Sequence, residues 1–181
     1  MIKLIYFSIV FLFCSTCSTG PIFETLKPSD LLIAEDSLRA IYPNSAEFNL
    51  SVINARLTIV KLDKDFDHYN KILEIDPKNP TANYHISMRK GKGFQNKDYK
   101  NGQWDAIQAF SKAATYIDTL GAPFYWIAKS YEKKDDQDFE LPLEAYNKSL
   151  TLYLSKELEI EVKKARASLL KRKKVYKDFW K

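Results

Sequence analysis

The spacing of small and large side chains restricts the fold of this chain more than any other feature does. Small Ala106, large Phe110 and small Ala113 follow one another at intervals of four and three residues. These intervals place the three side chains on one face of an α-helix, whereas alternation every second residue would indicate a strand. Helical spacing continues along most of the chain, so the sequence predicts an all-α protein.

This small-large-small order resembles the second helix of a tetratricopeptide repeat, a 34-residue unit that contains two helices. Counting on from Ala113 indicates where the next first helix places its four packing residues, which are Phe124, Ile127, Ala128 and Tyr131. These are the sizes that the family's pattern has at such places: large, apolar, small and large. The match extends the pattern from one helix to two.

Further segments resemble the same unit. Residues 69–77 match the close of an earlier repeat, because Pro77 can stop a second helix. In residues 141–153, Tyr146 and Ser149 take the large and small places. The earliest first helix fits less well, with Asn49, Val52, Ile53 and Arg56 at its four places. The resemblance spans about residues 45–154 and implies a tetratricopeptide-like α-solenoid of about three helical hairpins.

Two stretches exceed the 34-residue period. About seven extra residues fall within 91–102, and a shorter excess lies within 135–139. Gly91 and Gly93 in the first stretch predict that a helix ends there and a loop follows. The solenoid is therefore expected to carry two polar insertions.

The N-terminus has the pattern of an export signal. Lys3 precedes an apolar run over residues 4–13, and small and polar residues follow. This run is too short to cross a bilayer, which takes about 20 residues in a helix. The chain is therefore expected to be exported to the cell envelope, with residues 1–16 as its signal peptide. Cys17 follows small residues and resembles the cysteine of bacterial lipoprotein signals that receives the lipid; an ordinary secretory signal with incidental cysteines is the alternative.

Three further segments are predicted beyond the signal. Residues 17–28 form a linker, residues 29–154 form the repeat domain, which opens with a short helix over 31–41, and residues 155–181 form a basic helix that caps the array. The apolar stripe of the capping helix contains Leu158, Val162, Ala165, Leu169, Val175 and Tyr176.

The positive charge of the chain is concentrated in its last segment. From Lys163 onward there are nine Lys and Arg residues against one acid. The residues of interest there are Lys171, Arg172, Lys173, Lys174 and Trp180. A solvated helix face, contact with anionic lipid headgroups and contact with nucleic acid all fit such a charge run. Nucleic acid is not expected for an exported protein.

The residues that carry catalysis or bind metals are scarce. The chain has two histidines, His68 and His85, and both cysteines lie in the N-terminal segment, so no metal-ligand set is recognisable. Gly91-Lys92-Gly93 lacks the spacing of a phosphate-binding loop, and there is no nucleophile elbow. We expect no enzymatic activity, no metal and no cofactor.

The resemblance to tetratricopeptide repeats implies a groove lined by the first helices. By phase, its candidate residues are Asn54, Tyr84, Met88, Tyr125, Lys129 and Lys133. Packing between neighbouring repeats is the alternative role for each of them. The expected function is that of a lipid-anchored scaffold that binds an envelope-associated protein, with the oligomeric state left open. A carrier of small molecules is the rival function, with an apolar cavity among Tyr84, Phe94, Tyr125 and Trp126.

Overall fold

The computed structural model describes residues 20–97 and 100–179 of the chain. Over these residues it contains one 3-10 turn, Ile22–Glu24, nine α-helices and no β-strand, which confirms the prediction of an all-α protein. The helices are α1 (Pro28–Ile33), α2 (Glu35–Ile41), α3 (Ala46–Asp63), α4 (Asp67–Ile75), α5 (Pro80–Gln95), α6 (Lys100–Tyr116), α7 (Ala122–Lys134), α8 (Glu140–Leu150) and α9 (Lys156–Phe179).

The chain divides into two compact units, and the boundary falls inside α3, between Ile59 and Val60. The first unit has an aromatic core, in which the ring centroid of Phe23 lies 5.1 Å from that of Tyr42 and 5.4 Å from that of Phe48. Phe23 belongs to the stretch predicted as a linker, yet it is buried.

A carboxylate organises the polar part of the first unit. Glu35 accepts a hydrogen bond of 2.9 Å from Arg39 and another from the buried Arg56. The helix predicted over 31–41 is divided into α1 and α2, because the backbone at Ala34 leaves the helical conformation. The division places Glu35 in the first turn of α2. The sequence does not predict the division, because no glycine or proline lies between Leu31 and Ile41.

The second unit is a series of packed helices, in which each helix from α4 to α9 contacts the next along the chain. Its core contains Ala106, Phe110 and Ala113 of α6, which have no exposed surface. Their burial agrees with the sequence spacing that puts all three on one face of a helix. Tyr146 and Ser149 of α8 are equally buried. Side chains at the small and large places thus fill the space between neighbouring helices.

The predicted end of a helix at Gly91 is wrong, since α5 continues through both glycines to Gln95. A Cβ atom on Gly91 would lie 2.4 Å from Cε1 of Phe110, so the glycine lets α6 pack closely against α5. Packing outweighs the low helix propensity of glycine at this position. The extra residues of this stretch therefore lengthen α5 and α6.

α9 lies within the segment predicted to be a helix and buries only part of the predicted stripe. Val162 and Leu169 are buried, whereas Val175 is 63% exposed and Tyr176 is also exposed. The ring centroid of Tyr176 lies 5.4 Å from that of Phe139. Among the helices of the described residues, none has the length and hydropathy to cross a membrane.

Candidate functional site

The second unit contains a groove of about 550 Å³ between the start of α4 and the helices α5, α7 and α9. Helix α5 provides most of its wall, and α7 and α9 provide the rest. Its lining residues are Phe66, Tyr84, His85, Met88, Arg89, Lys92, Ala122, Trp126 and Leu158.

Local sequence signals place these side chains. α5 begins at Pro80, and Oδ1 of Asn79 accepts a hydrogen bond of 3.1 Å from the backbone N–H of Ala82, which caps the helix. Tyr84, Met88 and Lys92 then follow at intervals of four, which puts them on one face.

Helix α7 reaches the groove because its first turn packs closely against α8. A Cβ atom on Gly121 would lie 2.3 Å from the backbone oxygen of Ser149, and Oγ of Ser149 donates a hydrogen bond of 2.9 Å to the backbone oxygen of Gly121. This contact fixes the start of α7, from which Ala122 and Trp126 line the groove.

Two cations lie at the rim of the groove, each over an aromatic ring. The guanidinium of Arg89 is 4.7 Å from the ring centroid of Phe66, and Nζ of Lys92 is 4.9 Å from that of Trp126. Both side chains are exposed, and within residues 20–97 and 100–179 neither pairs with a carboxylate. The cation–π contacts hold both charges beside the apolar lining.

The floor of the groove is aromatic and uncharged at neutral pH. The ring of His85 stacks on that of Tyr69 at 4.6 Å, and burial lowers the pKa of His85, so its neutral form is favoured. Burial also raises the pKa of the Tyr84 hydroxyl, which therefore stays protonated. Met88 adds an adaptable thioether side chain. The groove thus combines an apolar floor with a positive rim.

Of the six groove residues predicted from the sequence, Tyr84 and Met88 line this groove. Tyr125 does not line it but is buried, with its ring centroid 5.1 Å from that of Trp126. Burial, together with the nearby carboxylates of Glu161 and Glu132, raises the pKa of Tyr125. Asn54 is exposed on α3 in the first unit, so it is described apart from the others.

The remaining two, Lys129 and Lys133, line a separate hollow of about 390 Å³ with Gln95, Asn96, Glu132 and Arg172. Nζ of Lys133 donates a hydrogen bond of 2.9 Å to the backbone oxygen of Gln95, the last residue of α5. Its charge thus meets the negative end of that helix.

A buried polar network surrounds the same helix end. Nε2 of Gln95 donates to Oγ of Ser130 at 3.0 Å. Nε2 of Gln103 donates to the backbone oxygens of Gln95 and Lys97, at 3.0 and 3.1 Å. These bonds join α5, α6 and α7 at the end of α5. Sequence reasoning missed this network, because two glutamines in separate helices carry no recognisable pattern.

The cavity expected for a small-molecule carrier is not assembled from its four predicted residues. Tyr84 and Trp126 line the groove, whereas Tyr125 is buried and Phe94 contacts Lys97, whose Nζ lies 5.0 Å from its ring centroid. The groove also keeps exposed side chains at its rim.

The residues of the basic tail have different roles. Arg172 pairs with Glu132, and Nζ of Lys173 lies 2.5 Å from Oε1 of Glu140. Lys171 and Lys174 are exposed. The predicted signal peptide of residues 1–16, the lipidation site Cys17 and Trp180 lie outside the described residues.

Sequence reasoning missed six lining residues, which are Phe66, His85, Arg89, Lys92, Ala122 and Leu158. Lys92 was placed in a loop because the helix was expected to end at Gly91. The interval of four from Met88 to Lys92 is the signal that could have found it.

No family model and no curated protein sequence matches this chain. Among the described residues, no group of three or more His, Cys, Asp or Glu side chains is arranged to hold a metal ion. A function for this protein is therefore inferred from the groove.

Proposed function

We propose that this protein is an exported, lipid-anchored scaffold that binds a segment of a partner protein in the groove between α5, α7 and α9. The observation that carries the proposal is the groove itself, with its aromatic floor and, at its rim, the cations of Arg89 and Lys92, which pair with no carboxylate in the described part of the chain. Aromatic, methionine and arginine side chains are common where proteins bind one another.

The exposure of the lining favours a protein segment over an enclosed small molecule. Phe66, His85 and Trp126 are half-buried, and Arg89 and Lys92 are exposed, so the site opens along its length. A partner segment can place apolar side chains on the floor and an acidic group near the rim. Burial of the apolar surface supplies affinity, and the cations select the charge of the partner.

The finer architecture belongs to the same proposal. We infer that α5 with α6 and α7 with α8 are tetratricopeptide-like hairpins and that α9 caps the array. Burial of Ala106, Phe110 and Ala113, and of Ile127 and Ala128, supports this reading. The proposals of export and of a lipid on Cys17 rest on the N-terminal sequence alone.

A photo-reactive residue at Lys92 tests the groove in the native host. This position is better than Tyr125, because Lys92 is exposed at the rim and Tyr125 is buried. We expect one dominant envelope protein to be cross-linked from position 92 and not from exposed Lys112 on α6, the matched control. Equal cross-linking from both positions, or from neither, would contradict a binding groove.

Reversal of the charges at the rim of the groove provides a second test of the proposed function. The variant Arg89→Glu with Lys92→Glu should lose the captured partner and keep its helical content, because both side chains are exposed. Lys112→Glu is the matched control. Mass spectrometry of the same samples would show an acylated N-terminal Cys17; an unmodified N-terminus would refute the anchor alone. A co-purifying small molecule in place of a protein would favour the carrier function.

A further inference from the structure

The positive charge of α9 lies on two sides of the helix. Among the described residues, carboxylates of other helices form ion pairs with only one of these sides. On the side that packs against the fold, Arg172 pairs with Glu132 and Lys173 with Glu140. On the same side, Nε of Arg166 donates a hydrogen bond of 2.6 Å to Oδ1 of Asn147 on α8. Part of the basic tail therefore holds α9 in place.

The opposite side is defined here as the outward face of α9. All of its residues are exposed, and they are Ile160, Lys164, Ala167, Leu170, Lys171 and Lys174. Ile160, Lys164, Ala167, Lys171 and Lys174 follow one another at intervals of three and four, and Leu170 lies three residues after Ala167 and four before Lys174. Such intervals form one continuous stripe along a helix. From Lys164 to Lys174 the stripe is about 15 Å long, at ~1.5 Å per residue.

Within residues 20–97 and 100–179, Lys164, Lys171 and Lys174 of the outward face form no ion pair. Lys163, beside the stripe, is paired with Glu159. Exposed carboxylates lie near both ends of the stripe, with Glu157 and Glu161 on either side of Ile160 and Asp178 one turn after Lys174. Lysines three residues apart, such as Lys171 and Lys174, repel each other unless an anion lies close to both.

Apolar side chains lie between these lysines. Ile160 is 67% exposed and Leu170 is 40% exposed, and Val175 beside the stripe is 63% exposed. Lysines extend their charged ends from an apolar surface through flexible stems. A helix face with this composition suits the boundary between lipid headgroups and acyl chains, because the apolar side chains enter and the ammonium groups stay at the phosphates.

We propose that the outward face of α9 docks on an anionic lipid surface, with Lys164, Lys171 and Lys174 at the phosphates and Ile160 and Leu170 in the interface. A nucleic acid could neutralise the same lysines, but it would leave both apolar side chains in water. This surface is separate from the groove residues, so the proposal does not depend on the proposed function.

Flotation of the full chain with vesicles tests the proposal, with Cys17 replaced by Ser in every protein so that no lipid anchor contributes to the partitioning. The probe is phosphatidylglycerol mixed with phosphatidylcholine, compared with phosphatidylcholine alone. Replacing Lys164, Lys171 and Lys174 by Gln should weaken partitioning onto the anionic vesicles on the order of a hundredfold, because each lysine near the surface contributes about fivefold. Replacing Lys61, Lys78 and Lys112 by Gln is the matched control, since these lysines are exposed outside α9. Equal partitioning of the two triple variants would overturn the proposal.

A label on the helix separates this contact from attachment elsewhere in the chain. A nitroxide at Ala167→Cys, with Cys14 and Cys17 replaced by Ser, should be shielded from a water-soluble nickel complex on anionic vesicles only. A label equally accessible on both vesicle types would refute the docking of this face. Binding of the wild-type chain to a DNA oligonucleotide without binding to either vesicle would do the same.

Discussion

Gly91 and Gly93 lie two residues apart in α5 and have different surroundings. A Cβ atom on Gly91 would lie within 2.4–2.8 Å of three atoms of the Phe110 ring, whereas nothing lies within 4 Å of one on Gly93. Phe110 is fully buried, so its ring has no free space to move into. Alanine substitution at Gly91 and at Gly93 therefore distinguishes the effect of packing on stability from the effect of helix propensity.

We predict that Gly91→Ala destabilises the protein by about 1–3 kcal/mol, as overpacking of a core does. Gly93→Ala should instead stabilise it by ~0.5–1 kcal/mol, because alanine replaces glycine inside a helix without new contacts. Urea unfolding followed by circular dichroism measures both changes. A stabilising Gly91→Ala would show that α5 and α6 are not packed as closely as described.

His85 should make stability depend on pH in a limited window. Burial lowers its pKa in the folded state, so the unfolded chain binds a proton more readily as the pH falls below its ordinary value of about 6.5. This contribution is complete above that pH and is lost as the pH falls towards the lowered folded pKa. His85→Phe keeps a ring against Tyr69 and should flatten the decline of stability below about pH 6.5. Parallel stability curves for the two proteins would contradict the assignment.

At the scale of elements, the end of α5 depends on side chains from its neighbours. The backbone oxygen of Gln95 accepts hydrogen bonds from Gln103 of α6 and Lys133 of α7. Either donor can satisfy this buried oxygen alone, whereas the loss of both leaves it unpaired. A buried carbonyl without a donor costs about 1–3 kcal/mol.

The two donors should therefore be energetically coupled. We predict that Gln103→Leu and Lys133→Met each cost roughly 1 kcal/mol, and that the double variant exceeds their sum by at least ~0.5 kcal/mol. Urea unfolding of the four proteins provides the double-mutant cycle. Gln108→Leu on the exposed side of α6 controls for the added leucine. Strict additivity would mean that water or another group replaces the missing donors.

At the scale of the whole molecule, the two units contain separate cores. Phe48 is buried in the first unit and Phe110 in the second. All three tryptophans, Trp104, Trp126 and Trp180, follow residue 60, so tryptophan fluorescence reports the second unit alone, whereas circular dichroism reports the helices of both.

We predict that Phe48→Ala, which removes about 3–5 kcal/mol of core packing, shifts an early part of the circular dichroism transition and leaves the fluorescence midpoint unchanged. Phe110→Ala should shift the fluorescence midpoint. Urea titration of both variants with both probes makes the comparison. Coincident shifts in the two probes for Phe48→Ala would mean that the units unfold as one.

Helical spacing accounts for the part of the groove that the sequence could predict. The phase of the repeat predicts Tyr84 and Met88, and they line the site. The phase also predicts Tyr125 and Lys129, but Tyr125 is buried and Lys129 lines the separate hollow. Phase specifies the face of a helix, but the depth of a side chain depends on the neighbouring helices.

The sequence by itself determined the helical class, the core positions in α6 and α8 and the long basic helix at the end, because these depend on the periodicity of one segment. Only the tertiary structure decided that α5 continues through Gly91, since Phe110 follows 19 residues later in the chain and the approach of its ring depends on packing. It also decided which cations are neutralised: Arg172 meets Glu132 across two helices, whereas Arg89 and Lys92 meet no carboxylate among the described residues. Contacts between distant segments have no period in the sequence, and such contacts build the groove.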